Sequence, residues 1–239
     1  MRLFFAGAGG AIGRRLMPLL RAAGHSVVGT TRSADKADAI SQLGAEPVVV
    51  DVFDAGALTS AVRAARPEGV IHQLTDLAFT PDSPRYAEGL ARNARLRVEG
   101  TRNLVSAAQS AGVRRMIAQS IAFIYAPGAR ARVESDPLLP ADGAATQSVA
   151  AVTSLEGAVL SMPEGIVLRY GFFYGPGTWS PDRPSRAPAI HIDAAAEATV
   201  LALNKGNPGI YNIAEDDPGL SSEKAKHDLG FDPRFRLSS

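Results

Sequence analysis

Leu3-Phe4-Phe5-Ala6-Gly7-Ala8-Gly9-Gly10-Ala11-Ile12-Gly13 stands near the start of the chain, and an alanine-rich run with apolar residues at helical spacing continues to Ala23. A short apolar strand, a tight glycine turn and a helix start, in that order, form the context of a phosphate-cradling βα turn. Gly7 lets the chain turn, Gly10 lets backbone approach a pyrophosphate, and Gly13 lets the helix pack close to the strand. Free N–H groups at the helix start, around Ala11 and Ile12, then face the phosphates. Gly7, Gly10, Ala11, Ile12 and Gly13 are thus the first candidate dinucleotide-binding residues. The bland alternative is an ordinary strand-helix turn.

Outward from this turn the chain keeps one rhythm. Strand candidates are Leu3–Ala6, Ser26–Thr30, Pro47–Val50, Val70–Leu74, Met116–Ser120 and Ile166–Tyr170, with helical stretches such as Ala11–Ala23, Ala55–Ala65 and Ala94–Ala111 between them. Such alternation predicts an α/β Rossmann fold, a doubly wound parallel sheet with helices on both faces. Residues 1–165 are expected to form the dinucleotide-binding domain. Residues 166–239 are expected to complete the sheet and add a small substrate-binding lobe, trimmed or incomplete, within one compact unit. Pro and Gly cluster at Pro127–Pro140, Gly175–Pro188 and Asn207–Leu220, which read as loops over the carboxyl ends of strands, where ligands bind.

Composition narrows the function. The 239 residues carry a net charge of +1, which argues against a broad nucleic-acid surface. No apolar run approaches the ~20 residues of a membrane span, and no signal-peptide pattern precedes the first strand. With no cysteine, disulfides and thiolate chemistry are excluded, and His25, His72, His191 and His227 lack metal-ligand spacing. The simplest location is the cytoplasm, with no metal and a small-molecule substrate.

The second strand ends Val28-Gly29-Thr30-Thr31-Arg32-Ser33. A site for NAD usually puts Asp or Glu near this point for the ribose 2′-hydroxyl. Here Thr31 and Arg32 occupy it, and no acid comes before Asp35. A carboxylate repels a 2′-phosphate and an arginine fork binds it, so NADP(H) is favoured over NAD(H). Arg14 and Arg15 at the mouth of the turn add charge to the same region.

Together these residues resemble the short-chain dehydrogenase/reductase family, in its atypical or extended branch, the NAD-dependent epimerase/dehydratase group. The resemblance runs from Arg2 to about Ile213. It includes the three glycines, Asp51-Val52, Val70-Ile71-His72, Val98-Glu99-Gly100-Thr101-Arg102-Asn103-Leu104, Tyr174-Gly175-Pro176-Gly177 and Ile190-His191-Ile192-Asp193. It implies that Asp51 and Val52 contact the adenine, and that Gln73, Leu74 and Thr75 line the ribose and nicotinamide side. It puts Arg97 where relatives often have an asparagine near the pyrophosphate; phosphate binding and a plain helix-surface charge both remain open. His72 reads as a satisfied core histidine. Homodimerisation through Ala94–Ala111 and Ser148–Leu160 would follow family habit.

The catalytic set departs from the family, which uses Tyr-x-x-x-Lys with a Ser or Thr. None of Tyr86, Tyr125, Tyr170, Tyr174 and Tyr211 is followed four residues later by lysine. If Glu156 matches the acidic residue of that helix, Ser148 replaces the tyrosine and Val152 the lysine. Ser120 lies one place from the expected hydroxyl. Substitute candidates are Tyr125 and Tyr174, in loops reaching the nicotinamide, with Ser120. Asp193 reads as the N-cap of a helix starting near Ala194. The segments 181–188 and 219–221 are shorter than the resemblance implies, so either the substrate part is trimmed or residues are missing there. Two functions follow: an NADP(H)-dependent oxidoreductase or epimerase-like enzyme with a relocated acid/base, acting on a small carbonyl or sugar-derived substrate, or a non-catalytic NADP(H)-binding redox sensor.

Overall fold

A computed structural model describes residues 1–77, 79–140 and 146–237, with the side chain of Thr146 left out. Seven parallel strands form the main sheet. They are β1 (Arg2–Ala6), β2 (Ser26–Thr31), β3 (Glu46–Val49), β4 (Gly69–His72), β5 (Arg115–Ile121), β6 (Glu164–Tyr170) and, late in the chain, Gly209–Ile213. A separate two-stranded parallel sheet pairs β7 (Phe172–Tyr174) with β8 (Ala189–His191), so Gly209–Ile213 is β9. The main sheet runs β3-β2-β1-β4-β5-β6-β9, reversing direction between β1 and β4. That reversal opens the crevice in which such sheets bind ligands.

The helices are α1 (Ala11–Ala22), α2 (Ala37–Gln42), α3 (Ala55–Ala65), α4 (Tyr86–Arg95), α5 (Thr101–Ser110), α6 (Thr146–Leu160), α7 (Ile192–Lys205) and α8 (Glu223–Leu229). Two apolar cores explain the layering. Leu3, Phe5, Ile71, Ile117 and Leu168 face α1 and α7 on one side of the sheet. Phe4, Val70, Met116, Ala118 and Val167 face the other, with Leu58, Leu104 and Leu155 from α3, α5 and α6. Alternation along each strand thus feeds both layers, as a doubly covered parallel sheet requires.

The predicted helix Ala94–Ala111 is more finely built. α4 passes into α5 through one π-helical stretch, Leu96–Gly100, which widens the helix at that point. The predicted strand through Ile190–Asp193 stops at His191, where α7 begins two residues earlier than expected. Around the two short segments, Ser180 donates to Ser185, and Leu220 bridges to Arg132 and Asp217. No helix among the described residues is long and apolar enough to cross a membrane.

Candidate functional site

The glycine turn has the shape a dinucleotide needs. Gly7 has φ of +103°, and a Cβ there would lie 2.7 Å from the backbone carbonyl carbon of Gln73. A Cβ on Gly13 would come within 2.2 Å of the Ala8 carbonyl oxygen, so the helix closes on the turn only because Gly13 has none. The Gly10 N–H donates to Gly7 O at 3.1 Å, and Gly10 caps α1 without a side chain. The first-turn N–H groups of α1, around Ala11 and Ile12, are left for a ligand. Gly177, in the loop after β7, brings its Cβ direction to 3.9 Å from Ala11. The Tyr-Gly-Pro-Gly segment therefore forms the second lip of the crevice.

Beyond β2, Thr31 donates to the Ser33 carbonyl, and Arg32 is exposed with no ion pair among the described residues. Asp35 accepts from Ser33. Past β3, Asp51 is exposed and accepts from the Phe53 N–H at 2.9 Å, while Val52 is buried and its carbonyl accepts from Asn103. Past β4 stand Gln73, buried, Leu74, half-buried, and Thr75, exposed. Gln73 keeps its backbone N–H on the Ala6 carbonyl, and its side-chain oxygen is buried with no partner among the described residues. All of these stand at the carboxyl ends of β1 to β4.

Arg15 is otherwise engaged. Its guanidinium meets Asp193 at 2.5 and 3.1 Å, joining α1 to α7. Asp193 is 2% exposed, and it also accepts from the Leu237 N–H. Asp193 is consequently not the N-cap: the Asp193 N–H donates to Nδ1 of His191, which caps α7. Burial, with Arg236 nearby, holds the His191 ring below its usual pKa, so the cap stays neutral.

The hydroxyls expected to be catalytic all have structural partners. Ser120 is 1% exposed and donates to Glu156 at 2.6 Å. Glu156 also takes a bidentate fork from Arg169 at 2.9 and 2.6 Å. The third guanidinium nitrogen of Arg169, Nη1, donates to Tyr125 at 2.6 Å, and Tyr125 donates to Asn212 at 2.7 Å. Burial pushes the Tyr125 phenol up despite Arg169. Ser120, Arg169 and Asn212 share one row of β5, β6 and β9, so this network fastens three strands to α6. Tyr174 donates to Glu215 and accepts from Arg236; burial and Glu215 push its phenol up as well. On α6, Ser148 is half-buried, and Val152 is fully buried among Ile124, Val149 and their neighbours. Position 152 lies one turn before Glu156, where the resemblance implies an ammonium.

His72 is the core residue its strand position predicted. Its Nδ1 accepts from the Leu74 N–H, so Nε2 carries the proton and donates to Thr101 at 2.8 Å. Burial, helped by Arg97, lowers it to about 4. Arg97 rises from the π-helical stretch. It is half-buried, and partial burial lowers it to about 10 even though Glu156 pulls the other way; it makes no hydrogen bond or ion pair among the described residues. Glu197 on α7 has a buried oxygen without a partner, and burial raises its carboxyl to about 7. Nothing in the local pattern around Glu197 announced this.

Comparison with known proteins places the chain. The family described as NAD(P)H-binding matches residues 7–156, well over half of the chain. A 3-diazoavenalumate denitrifying reductase from a Streptomyces species is 39% identical over 251 aligned residues, covering 95% of this chain and 80% of that protein. Among solved structures, UDP-glucose 4-epimerase from Thermotoga maritima, with UDP-glucose, is 18% identical, with a TM-score of 0.78 over 99% of this chain and 94% of that one. UDP-glucose 4-epimerase from Thermus thermophilus, in complex with NAD, is 20% identical, with a TM-score of 0.77 over 99% and 95%.

Proposed function

Since this chain belongs to the NAD(P)H-binding short-chain dehydrogenase/reductase family, we propose that it is an NADPH-dependent reductase that delivers hydride to a small acceptor requiring no proton from the protein. The observation that carries this is α6. Where the family keeps its tyrosine and lysine, α6 has a half-buried serine and a valine packed in an apolar cluster. Tyr125, Tyr174 and Ser120 do not make up the loss, because each hydroxyl already donates to a fixed acceptor.

A ketone needs both hydride and proton, and the product alkoxide is a poor species to leave unprotonated. A diazo acceptor differs. A cationic R–N2⁺ plus hydride gives R–H and N2, with charge and atoms balanced and no proton taken up. The reductase that is 39% identical acts, by its name, on a diazo compound that it denitrifies. We extend that acceptor class to this chain.

The residues that would hold the cofactor are Gly7, Gly10, Ala11, Ile12 and Gly13 at the phosphates, Asp51 and Val52 at the adenine, and Gln73, Leu74 and Thr75 towards the nicotinamide. When bound, the nicotinamide supplies the hydride. Preference for the 2′-phosphate rests on Arg32, exposed and without an ion-pair partner among the described residues, at the end of β2.

The test has two stages. Titration with NADPH and NADH, followed by nicotinamide fluorescence, is expected to give much tighter NADPH binding. Stopped-flow mixing of the NADPH complex with 4-diazobenzenesulfonate is then expected to consume one NADPH per N2 released. Deuterium from labelled NADPH is expected on the ring carbon, and a ketone of similar size should be inert. Tight NADPH binding with no oxidation by the diazo probe would overturn the reductase and favour the redox-sensor alternative.

A further inference from the structure

The crevice has two walls: the first turn of α1 on one side and the Tyr-Gly-Pro-Gly lip on the other, with Gly177 facing Ala11. The lip grows out of β7, which has three residues and pairs with the three of β8, outside the main sheet. Two short strands are marginal by themselves, so the lip's position depends on what packs behind it. Gly175 lies on the His191 ring, where a Cβ would stand 2.6 Å from Nε2, and Tyr174 meets the same ring edge-on with centroids 5.0 Å apart. The Tyr174 phenol donates to Glu215, whose own N–H donates to the Ala189 carbonyl of β8 at 2.8 Å.

A short segment after α8 reaches both walls with consecutive residues. Arg236 Nη2 donates to the Tyr174 hydroxyl at 2.9 Å and to Glu215 at 3.2 Å, behind the lip. Its Nη1 donates to the carbonyls of Phe235 at 2.8 Å and Pro233 at 3.2 Å, so the same guanidinium orders its own backbone. The next residue serves the other wall. The Leu237 N–H donates to Asp193 Oδ2 at 3.1 Å, the oxygen that also accepts from Arg15 Nη2. Arg15 stands one turn after Ala11 on α1. Phe231, buried, and Phe235, half-buried, fix the segment in the apolar core that α1 and α7 share.

We infer that Phe235–Leu237 is a strap that sets the opening of the dinucleotide crevice, with Arg236 the positioning residue for the lip. This rests on dinucleotide binding at the glycine turn and not on the reduction of any acceptor. The Arg236 side chain is 40% exposed, and an exposed ion pair adds little to the stability of a fold. A wall already in place does spare a ligand the cost of ordering it on binding. Loss of Arg236 should therefore register in dinucleotide release, where most affinity differences lie, and scarcely in melting.

Trp179, the single tryptophan of the chain, lies two residues past Gly177 and is 48% exposed, so its emission reports on the lip. In stopped-flow displacement, Arg236→Met is expected to release NADPH about tenfold faster, the worth of one charge-assisted hydrogen bond, and NADH by the same factor. Tyr174→Phe is expected to match it, and the double variant to add nothing, since both remove one contact. Arg236→Lys should recover part of the loss. Bound NADP⁺ is expected to shield Trp179 from acrylamide in the parent and less so in Arg236→Met, with Tm within ~2 °C of the parent. Unchanged release in Arg236→Met, additive losses in the double variant, or Tm lowered by more than ~5 °C with no recovery in Arg236→Lys would each overturn the strap. A loss confined to NADPH would overturn it by giving Arg236 to the 2′-phosphate, and a parent that binds neither dinucleotide would remove its premise. If the predicted losses appear while 4-diazobenzenesulfonate is never reduced, the strap stands and the reductase reading falls.

Discussion

Arg97→Met is expected to make the ligand-free protein more stable, although it removes a charged group. Burial brings the guanidinium down to about 10. Against an ordinary arginine, at ~1.4 kcal/mol for each tenfold change in acidity, that amounts to roughly 3 kcal/mol of desolvation that folding does not recover. The side chain keeps some exposure, so about half of this, ~1–2 kcal/mol, is a fair expectation for the variant. Methionine keeps the stem in place and has no charge to desolvate. For a chain of this size, ~1–2 kcal/mol corresponds to a rise of roughly 3–6 °C in Tm. The assay is thermal unfolding at neutral pH without ligand. A ligand-free Arg97→Met that melts several degrees below the parent would refute the reasoning, because the guanidinium would then be holding the fold together.

Other outcomes follow from individual groups. Arg32→Ser is expected to weaken NADPH binding about 10–100-fold, the worth of a charge-assisted pair, and to leave NADH within twofold; equal losses for both would remove Arg32 from the 2′-phosphate. Glu156→Gln leaves Arg169 buried without its counter-ion and should lower stability by ~3–5 kcal/mol in urea unfolding. A loss under ~1 kcal/mol would mean that the Ser120–Glu156–Arg169 network does not fasten β5 and β6 to α6. His72 and Glu197 work against each other with pH. His72 falls from 6.5 to about 4 on folding, so its stabilising contribution is full above 6.5 and lost as pH drops towards 4. Glu197 rises from 4.5 to about 7, so it favours the folded state below 4.5 and progressively ceases to do so as pH rises to 7. Glu197→Gln is expected to gain ~1 kcal/mol at pH 8 and to lose stability more steeply than the parent between pH 7 and 5. Parallel curves for the two proteins would show that Glu197 titrates normally.

The parts legible in the sequence are those set by short-range chemistry. Gly7, Gly10 and Gly13 act within seven residues of one another, and the β-branched and aromatic runs mark β1, β2, β4, β5 and β6, the strands with buried residues on both faces. Even there, local pattern has a limit. Asp193 looks like a helix cap because an acid precedes an alanine run, yet its carboxylate is drawn across 178 positions of sequence to Arg15. That leaves the cap to the His191 ring. A cap is a one-residue signal, and a buried bidentate ion pair outweighs it. Tyr125 and Tyr174 also have partners that local pattern does not announce: Asn212 and Glu215, far along the chain, accept from their phenols.

Val152, buried in an apolar cluster, leaves α6 without the cation that the resemblance implies. Lysine beside tyrosine serves acid catalysis by holding the phenol acidic. On the proposed reading, a chain that keeps the dinucleotide turn and lacks that proton donor is suited to acceptors that take hydride without a proton. A diazonium acceptor meets this condition, because hydride replaces N2 and the product R–H is neutral. The same logic predicts poor reduction of simple ketones, whose alkoxide is too basic to leave unprotonated.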